Sequence, residues 1–444
     1  MILKILVGIW VFGSTCMSYA AEDLLQAYAA ALTNDPRFGN AHYEYEAAKE
    51  AIPQARADLL PNVSIDARRA QTRQNIIRRE QAIFGGLGLT EFPTTSWSVQ
   101  ASQPVFRMSS WVRLGQAKAT VRRAFALYTA AEQDLIGRTA ESYIVVLATL
   151  DSLDFSLAEQ AAVGRQLELV QARRRGGLAN ITDEYEAQAR FSRVEADVIQ
   201  ATYTLDDAYQ GLREVVGDAV TSVMRFRESF PLVPPEPMHV ETWIDRALEN
   251  NLTLMAANEA VNVAQKEVER IRANHYPSLE LVARHGNIDS GGAITGGATD
   301  VDTTEVSLQL NVPIYTGGAV RSRTREAEQA YQGALEERKL QHRVVMRETR
   351  SAFQTIRGAI SRIEALGASL RAQESVLLGK TEGYRSGVNT LLDVLDAERD
   401  LYSTKREHAA ARFEYLLNLL RLKQQVGALS EEDLAYINRF LDAS

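Results

Sequence analysis

Four segments of the chain alternate apolar and polar residues with a period of two. In the first, Val63, Ile65 and Ala67 fall on one side and Ser64, Asp66 and Arg68 on the other. In the second, Trp97, Val99 and Ala101 alternate with Ser96, Ser98, Gln100 and Ser102. The third sets Leu279, Leu281 and Ala283 against Glu280 and Arg284, with Val282 out of pattern. The fourth sets Val306, Leu308, Leu310 and Val312 against Glu305, Ser307, Gln309 and Asn311. Successive side chains of a strand point to opposite faces, so each segment predicts a strand with one apolar face. Such alternation suits a half-buried soluble sheet as well as a stave of a membrane barrel.

Elsewhere the pattern is helical. No proline lies between Val105 and Phe230, and none follows Pro313. Both spans are rich in Ala, Leu, Glu, Arg and Gln, which favour helices. Residues 109–172 alone would extend roughly 95 Å as one helix. Ile356, Ile363, Leu370 and Leu377 recur at heptad spacing, and Ala409, Phe413, Leu416 and Leu420 follow a 4-3-4 pattern. Stripes of this kind predict coiled-coil packing against neighbouring helices.

The same order of elements occurs twice. Arg56, Ala57, Pro61 and Asn62 match Arg272, Ala273, Pro277 and Ser278. Gln103 to Phe106 matches Val312 to Tyr315, and Gly177 to Ala187 matches Gly387 to Ala397. The chain therefore divides into a first repeat at 21–230, a proline-rich linker at 231–240 and a second repeat at 241–444. The first repeat is expected to hold a helix, a hairpin at 62–106 and long helices at 109–172 and 181–215. The second is expected to hold a helix, a hairpin at 278–315, long helices at 318–382 and 390–425, and a closing segment at 426–444. The inter-strand loops are expected at about 75–95 and 286–302.

Residues 1–20 read as a secretory signal. Lys4 precedes the apolar run from Ile5 to Phe12, and Ser18, Tyr19 and Ala20 supply small residues at the −3 and −1 positions. A lipoprotein reading through Cys16 is weak, because Gly13 stands where such a signal wants Leu. Cys16 is the only cysteine, so the mature chain has neither disulfides nor thiolate metal sites. A net charge of −8 argues against a nucleic-acid partner. The six histidines are scattered, with no His-Glu-x-x-His pair and no Gly-x-Ser-x-Gly elbow, so neither an enzyme nor a cofactor or metal site is expected.

An exported chain without a long apolar helix can cross a membrane only as a barrel. Four strands cannot close one, since the smallest have ~8. Two copies would give eight strands, too narrow for a channel; three would give twelve.

The features resemble the TolC family of outer-membrane factors over essentially the whole mature chain. The likeness is strongest from Tyr384 to Ala397, and continues through Phe413 to Leu417 and Gly427 to Leu434. The opening, Asp23 to Tyr28 with Asn34, Asp35 and Pro36, also looks like the family's start. The resemblance implies a transmembrane β-barrel, four strands per chain and twelve per homotrimer. It is fused to a long periplasmic α-helical barrel with a small α/β equatorial belt near residues 212–250 and after 425. It implies residence in the outer-membrane lipid of a Gram-negative bacterium. It implies docking to a periplasmic adaptor and to an inner-membrane ABC transporter or proton-driven pump. The likeness from Leu391 to Tyr402 favours type I protein secretion as the export task, with drug or small-molecule efflux the alternative and a non-transporting periplasmic scaffold a lesser one.

The resemblance also assigns roles at two helix-turn-helix tips. Asp393 and Asp396 lie three apart on one helix face. In the family these positions form acidic rings at a constricted periplasmic entrance. Clustered carboxylates favour cations and repel one another's charge. Thr390 and Asp393 equally read as a capping box. Thr182, Asp183 and Tyr384 match contacts that hold the family's tip closed, and Asp183 could instead cap a helix begun by Asn180. Asn389 stands where the family usually has Arg, which removes a charged link that Arg385 or Arg175 could replace. Gly177, Leu178, Gly387 and Val388 match turns that mesh with the adaptor, although a tight turn alone also asks for Gly.

Overall fold

Helix boundaries fall where the chain supplies caps and strands where it alternates. The computed structural model describes residues 22–77, 88–218, 220, 222–227, 230–292 and 297–442. The signal expected at residues 1–20 lies outside the described residues, as do 78–87 and 293–296 in the two inter-strand loops. In chain order the elements are α1 Leu24–Asn34, α2 Pro36–Lys49, α3 Ala51–Ala57, β1 Asn62–Ile76, β2 Gly88–Arg107, α4 Met108–Arg175, α5 Ile181–Val216 and β3 Arg225–Phe226. There follow α6 Val240–Asn250, α7 Leu252–Arg272, β4 Ser278–Ser290, β5 Thr299–Asn311, α8 Ala319–Arg385, α9 Leu391–Gln425, α10 Glu431–Asn438 and β6 Leu441–Asp442. The chain forms two compact units.

One unit comprises Ala41–Ala130 and Leu252–Val345. Its sheet is antiparallel in the order β1-β2-β4-β5. Pairing starts at Asn62 with Ser102 in the first hairpin and at Ser278 with Asn311 in the second. One face carries Val63, Ile65, Ala67, Trp97, Val99, Ala101, Leu279, Leu281, Ala283, Val306, Leu308 and Leu310. Much of this band lies open: Val63 is 66% exposed and Leu308 63%. The opposite face is polar, with Asp66, Arg68, Gln100, Arg284, Glu305 and Gln309 beside one another. Val282, out of pattern in the sequence, points to this polar face between Ser102 and Ser307. No helix among the described residues is long and apolar enough to span a membrane. Helices α4, α7 and α8 are tied by Arg122 to Glu259 at 2.8 Å and by Arg272 to Glu328.

Three expectations need correcting. The strands run well past the alternating segments, to 15 and 20 residues in β1 and β2 and 13 each in β4 and β5. The loops expected at 75–95 and 286–302 are shorter by the same token, because polar residues on both faces still pair through their backbones. The second hairpin closes at Asn311 rather than 315. Pro313 has no N–H to donate, so pairing stops before it.

The other unit comprises Met1–Asn40, Ala131–Asn251 and Met346–Ser444. Its mixed region pairs β3 with β6 and bridges Glu22 to Val223. Tyr143 on α4 donates its hydroxyl to the carbonyls of Glu22 at 2.9 Å and Met224 at 3.1 Å. Arg138 reaches Asp35 at 2.6 Å, and the Phe38 amide donates to the same carboxylate. Burial works to raise the Asp35 carboxyl, but these donors outweigh it and hold the group below the usual range. Asn251 donates to the Gln425 carbonyl and Gln133 to the Gly427 carbonyl, both at 2.9 Å, which satisfies the open end of α9.

Candidate functional site

The two tips, α4 to α5 and α8 to α9, are built alike from backbone upward. At the first, Leu178 N donates to Arg173 O at 2.8 Å and Gly177 N to Arg174 O at 2.9 Å. At the second, Val388 N donates to Gly383 O at 2.7 Å and Gly387 N to Tyr384 O at 3.2 Å. This paired closure of a helix end is the Schellman motif, and it needs a left-handed residue. Gly177 at φ 74° and Gly387 at φ 79° provide it.

Three residues later each chain segment re-enters a helix through a cap. Asn180 N donates to Asp183 Oδ2 at 3.3 Å, with Thr182 between them in the first turn of α5. Thr390 N donates to Asp393 Oδ2 at 3.0 Å, and Asp393 N donates back to Thr390 Oγ1 at 3.2 Å. The Thr390 hydroxyl also donates to Asp393 Oδ2 at 2.6 Å; that bond first, then the Thr390 N–H, with Lys380 Nζ at 3.7 Å, hold the Asp393 carboxyl below the usual carboxylate range. Within one chain, then, both Asp183 and Asp393 cap helices. Asp396 is free of capping and pairs with Arg399 at 3.2 Å. Asp393 and Asp396 keep about two-fifths of their side-chain surface in water, at 42% and 45%.

Apolar packing joins the two tips. Val163, Leu167 and Val170 from α4, Ala187 and Val194 from α5, and Leu391 and Leu395 from α9 form one buried cluster, with Ala179, Phe191 and Tyr384 against it. Arg173 lies over the Tyr384 ring at 4.8 Å. Leu178 and Val388, by contrast, are each 81% exposed at the turns. Asn389, in the turn, folds back on the end of α8, its amide nitrogen donating to Lys380 O at 3.4 Å. It occupies the space over Gly383 that a Cβ there would need. Within the chain Arg385 pairs locally with Glu382 at 2.7 Å, and Arg175 is exposed. Arg173 on Tyr384 and Arg174 with Glu184 are further basic contacts at the tips. Their proximity across the tip could not be read from spacing along the chain.

One charged cluster escaped the sequence reading altogether. Glu159 on α4 is buried, and it receives Arg190 of α5 at 2.9 Å and Arg406 of α9 at 3.1 Å. Beside it Glu398 is only 6% exposed and its Oε2 has no hydrogen-bond partner. Burial pushes the Glu398 carboxyl up to about 7, against the pull of Arg165 and of a hydrogen bond from Gln166. A single acid on a long polar helix carries no sequence signal of burial.

A sheet with an exposed apolar face and two unpaired edges, in one chain with paired helices of 35 residues and more, defines the subunit of an outer-membrane channel with a helical tunnel. The chain belongs to the Outer membrane efflux protein family, whose profile matches residues 27–218 and 243–428. It is 34% identical over 433 residues to the outer membrane protein TolC of Vibrio cholerae, covering 96% of this chain and 95% of that one. It is 28% identical to the alkaline protease secretion protein AprF of Pseudomonas aeruginosa, covering 96% and 90%. In structure it resembles the outer membrane channel CmeC of Campylobacter jejuni, with a TM-score of 0.79 at 14% identity and coverage of 95% and 90%. The protein is thus a non-enzymatic channel of the Gram-negative outer membrane, with a tunnel in the periplasm. Proteins of this family form trimers that work with adaptors and inner-membrane transporters in tripartite export.

Proposed function

We propose that three copies of this chain form the exit duct of a type I protein secretion machine, coupled through a periplasmic adaptor to an inner-membrane ABC transporter. The observation that carries the duct is the open-edged sheet: its apolar face needs lipid and its edges β1 and β5 need partners. End-to-end similarity to AprF, a protease secretion protein, supports protein cargo. Small-molecule efflux is the competing reading, favoured by the name of the family itself. Disruption of the gene should abolish secretion of a protein substrate. Intact secretion with raised drug sensitivity would move the assignment to efflux. Purified protein should conduct in planar bilayers, and absence of a trimeric pore would remove the duct.

Asp393 and Asp396 are assigned to the constricted periplasmic entrance. Their shared face, residual exposure and position at the α9 start support this. Replacing both by Asn should lower the cation preference of the bilayer channel; unchanged ion selectivity counts against the gate. Thr182, Asp183, Tyr384 and Asn389 are assigned to the closed tip. Gly177, Leu178, Gly387 and Val388 are assigned to adaptor docking, supported by two exposed apolar side chains on rigid turns. Gly387→Trp should impair export while trimers still assemble, and normal export by that variant would refute docking at the tip.

A further inference from the structure

The edges of the sheet are β1 and β5, and the internal repeat specifies how they meet in a neighbouring copy. Strand β1 corresponds to β4 at a spacing of 216 residues, from Asn62 to Ser278, each following a proline. The apolar rows keep that spacing: Val63, Ile65 and Ala67 match Leu279, Leu281 and Ala283. Strand β2 corresponds to β5 at a spacing of 209, from Ser102 to Asn311, the partners of Asn62 and Ser278. Trp97, Val99 and Ala101 then match Val306, Leu308 and Leu310. The seam between β2 and β4 is therefore a template for the seam between β5 and the next copy's β1.

That template has a definite stagger. Within the hairpins the centres of the apolar rows oppose each other, Ile65 with Val99 and Leu281 with Leu308. Between hairpins they do not: Val99 faces His285, four residues beyond Leu281. Strands of a barrel tilt, so a band lying level in the membrane must step along the strands as it goes round. A level band requires the same step at every hairpin junction.

We infer that β5 pairs antiparallel with β1 of a second copy in the register that sets Ser307 opposite Ala70, Glu305 opposite Thr72 and Thr303 opposite Gln74. The inference rests on the trimeric duct proposed above. Two further features fit it. Edge β1 carries Arg68, Arg69 and Arg73 against one acid, Asp66, whereas β5 carries Asp300, Asp302 and Glu305 and no base. The edges are thus complementary in charge. At the β2–β4 seam Ser98 faces Gly286, where an added Cβ would come within 2.7 Å of the Ser98 Cβ. The corresponding row of the new seam, Ser307 with Ala70, is again small on both sides. A slip of one residue would turn the apolar face inward, so slips of two are the competing registers.

Disulfide trapping separates them. Opposed Cα atoms of antiparallel strands lie ~4.5–5.5 Å apart, within disulfide reach. Partners displaced by two residues have Cβ atoms nearly ~7–8 Å apart, beyond the usual ~3.5–4.5 Å of a disulfide. The only native cysteine, Cys16, lies outside the strands, and the single variants S307C and A70C serve as controls. Oxidation of the S307C/A70C double variant in outer membranes should give covalent trimers that survive boiling in detergent without reductant. S307C/R68C and S307C/T72C should give at least about tenfold less. Preferential trapping at 68 or 72, or no trapping in any pair although native gels show trimers, overturns the register. If native gels of the wild-type protein show no trimer, the duct itself falls.

Discussion

The two tips share a backbone and differ in what their side chains face. Both close a helix on a left-handed Gly and reopen one on a capping box. Yet Leu391, the first residue of α9, is 3% exposed in the shared cluster, and its counterpart Ile181 is 50% exposed. Ala179 packs on that cluster, and its counterpart Asn389 bends back over Gly383. Local code sets the turn twice over; packing then seats one residue of each matched pair in the cluster and leaves the other out of it.

Seven substitutions, in four steps of decreasing effect, would sharpen or break this comparison. The largest effect is expected from Leu391→Ala, which leaves a cavity and should cost ~2–5 kcal/mol, while Ile181→Ala should cost under about 0.5 kcal/mol. Chemical denaturation followed by helical circular dichroism reads the difference, and equal costs would erase the asymmetry. Next comes Glu398→Gln. The folded-state carboxyl is raised above its unfolded value, so its stabilising protonated form is fully present below about 4.5 and lost as pH rises through about 7. Wild type should therefore lose about 3 kcal/mol relative to the Gln variant between those limits. A variant whose stability profile parallels wild type would show that Glu398 does not titrate there.

Smaller and equal losses are expected at the two turns. Gly177→Ala and Gly387→Ala should each cost about 1–2 kcal/mol, since both place a Cβ in the left-handed region. A marked inequality in melting would mean that the turns are not equivalent. The smallest effect belongs to the caps: Asn180→Ala and Thr390→Ala should each cost about 1 kcal/mol. Because Asp393 is held below the usual carboxylate range, its contribution is present above that range and fades as pH falls through it. Thr390→Ala removes the hydroxyl bond and should weaken that acid-side dependence; a dependence undiminished in the variant would assign it to another carboxylate.

Much of the tip was legible in advance because its determinants are local. Gly177 and Gly387 announce left-handed turns, and Asp183 and Asp393 stand at the capping position three residues after Asn180 and Thr390. The role of Asn389 was not legible, because its partners, Lys380 and Gly383, matter only once α8 has closed its last turn. Strand length was underread too. Beyond Arg68 in β1 and before Ser96 in β2 both faces mix polar residues with scattered apolar ones such as Leu89 and Phe92, so alternation fades while backbone pairing continues.

By itself the sequence determined the long helices, through the absence of proline, and the paired hairpins, through alternation and its duplication. It also determined both turns and their caps, because each depends on residues within one or two helical turns. Only the tertiary structure decided which acids are buried, since Glu159 meets Arg190 and Arg406 from two other helices and Glu398 is buried beside Arg165 and Gln166 of α4. It alone decided the four-residue stagger between β2 and β4. The reason is the same in both cases. Burial and register arise from segments far apart in the chain, and their energies appear only when those segments are brought together.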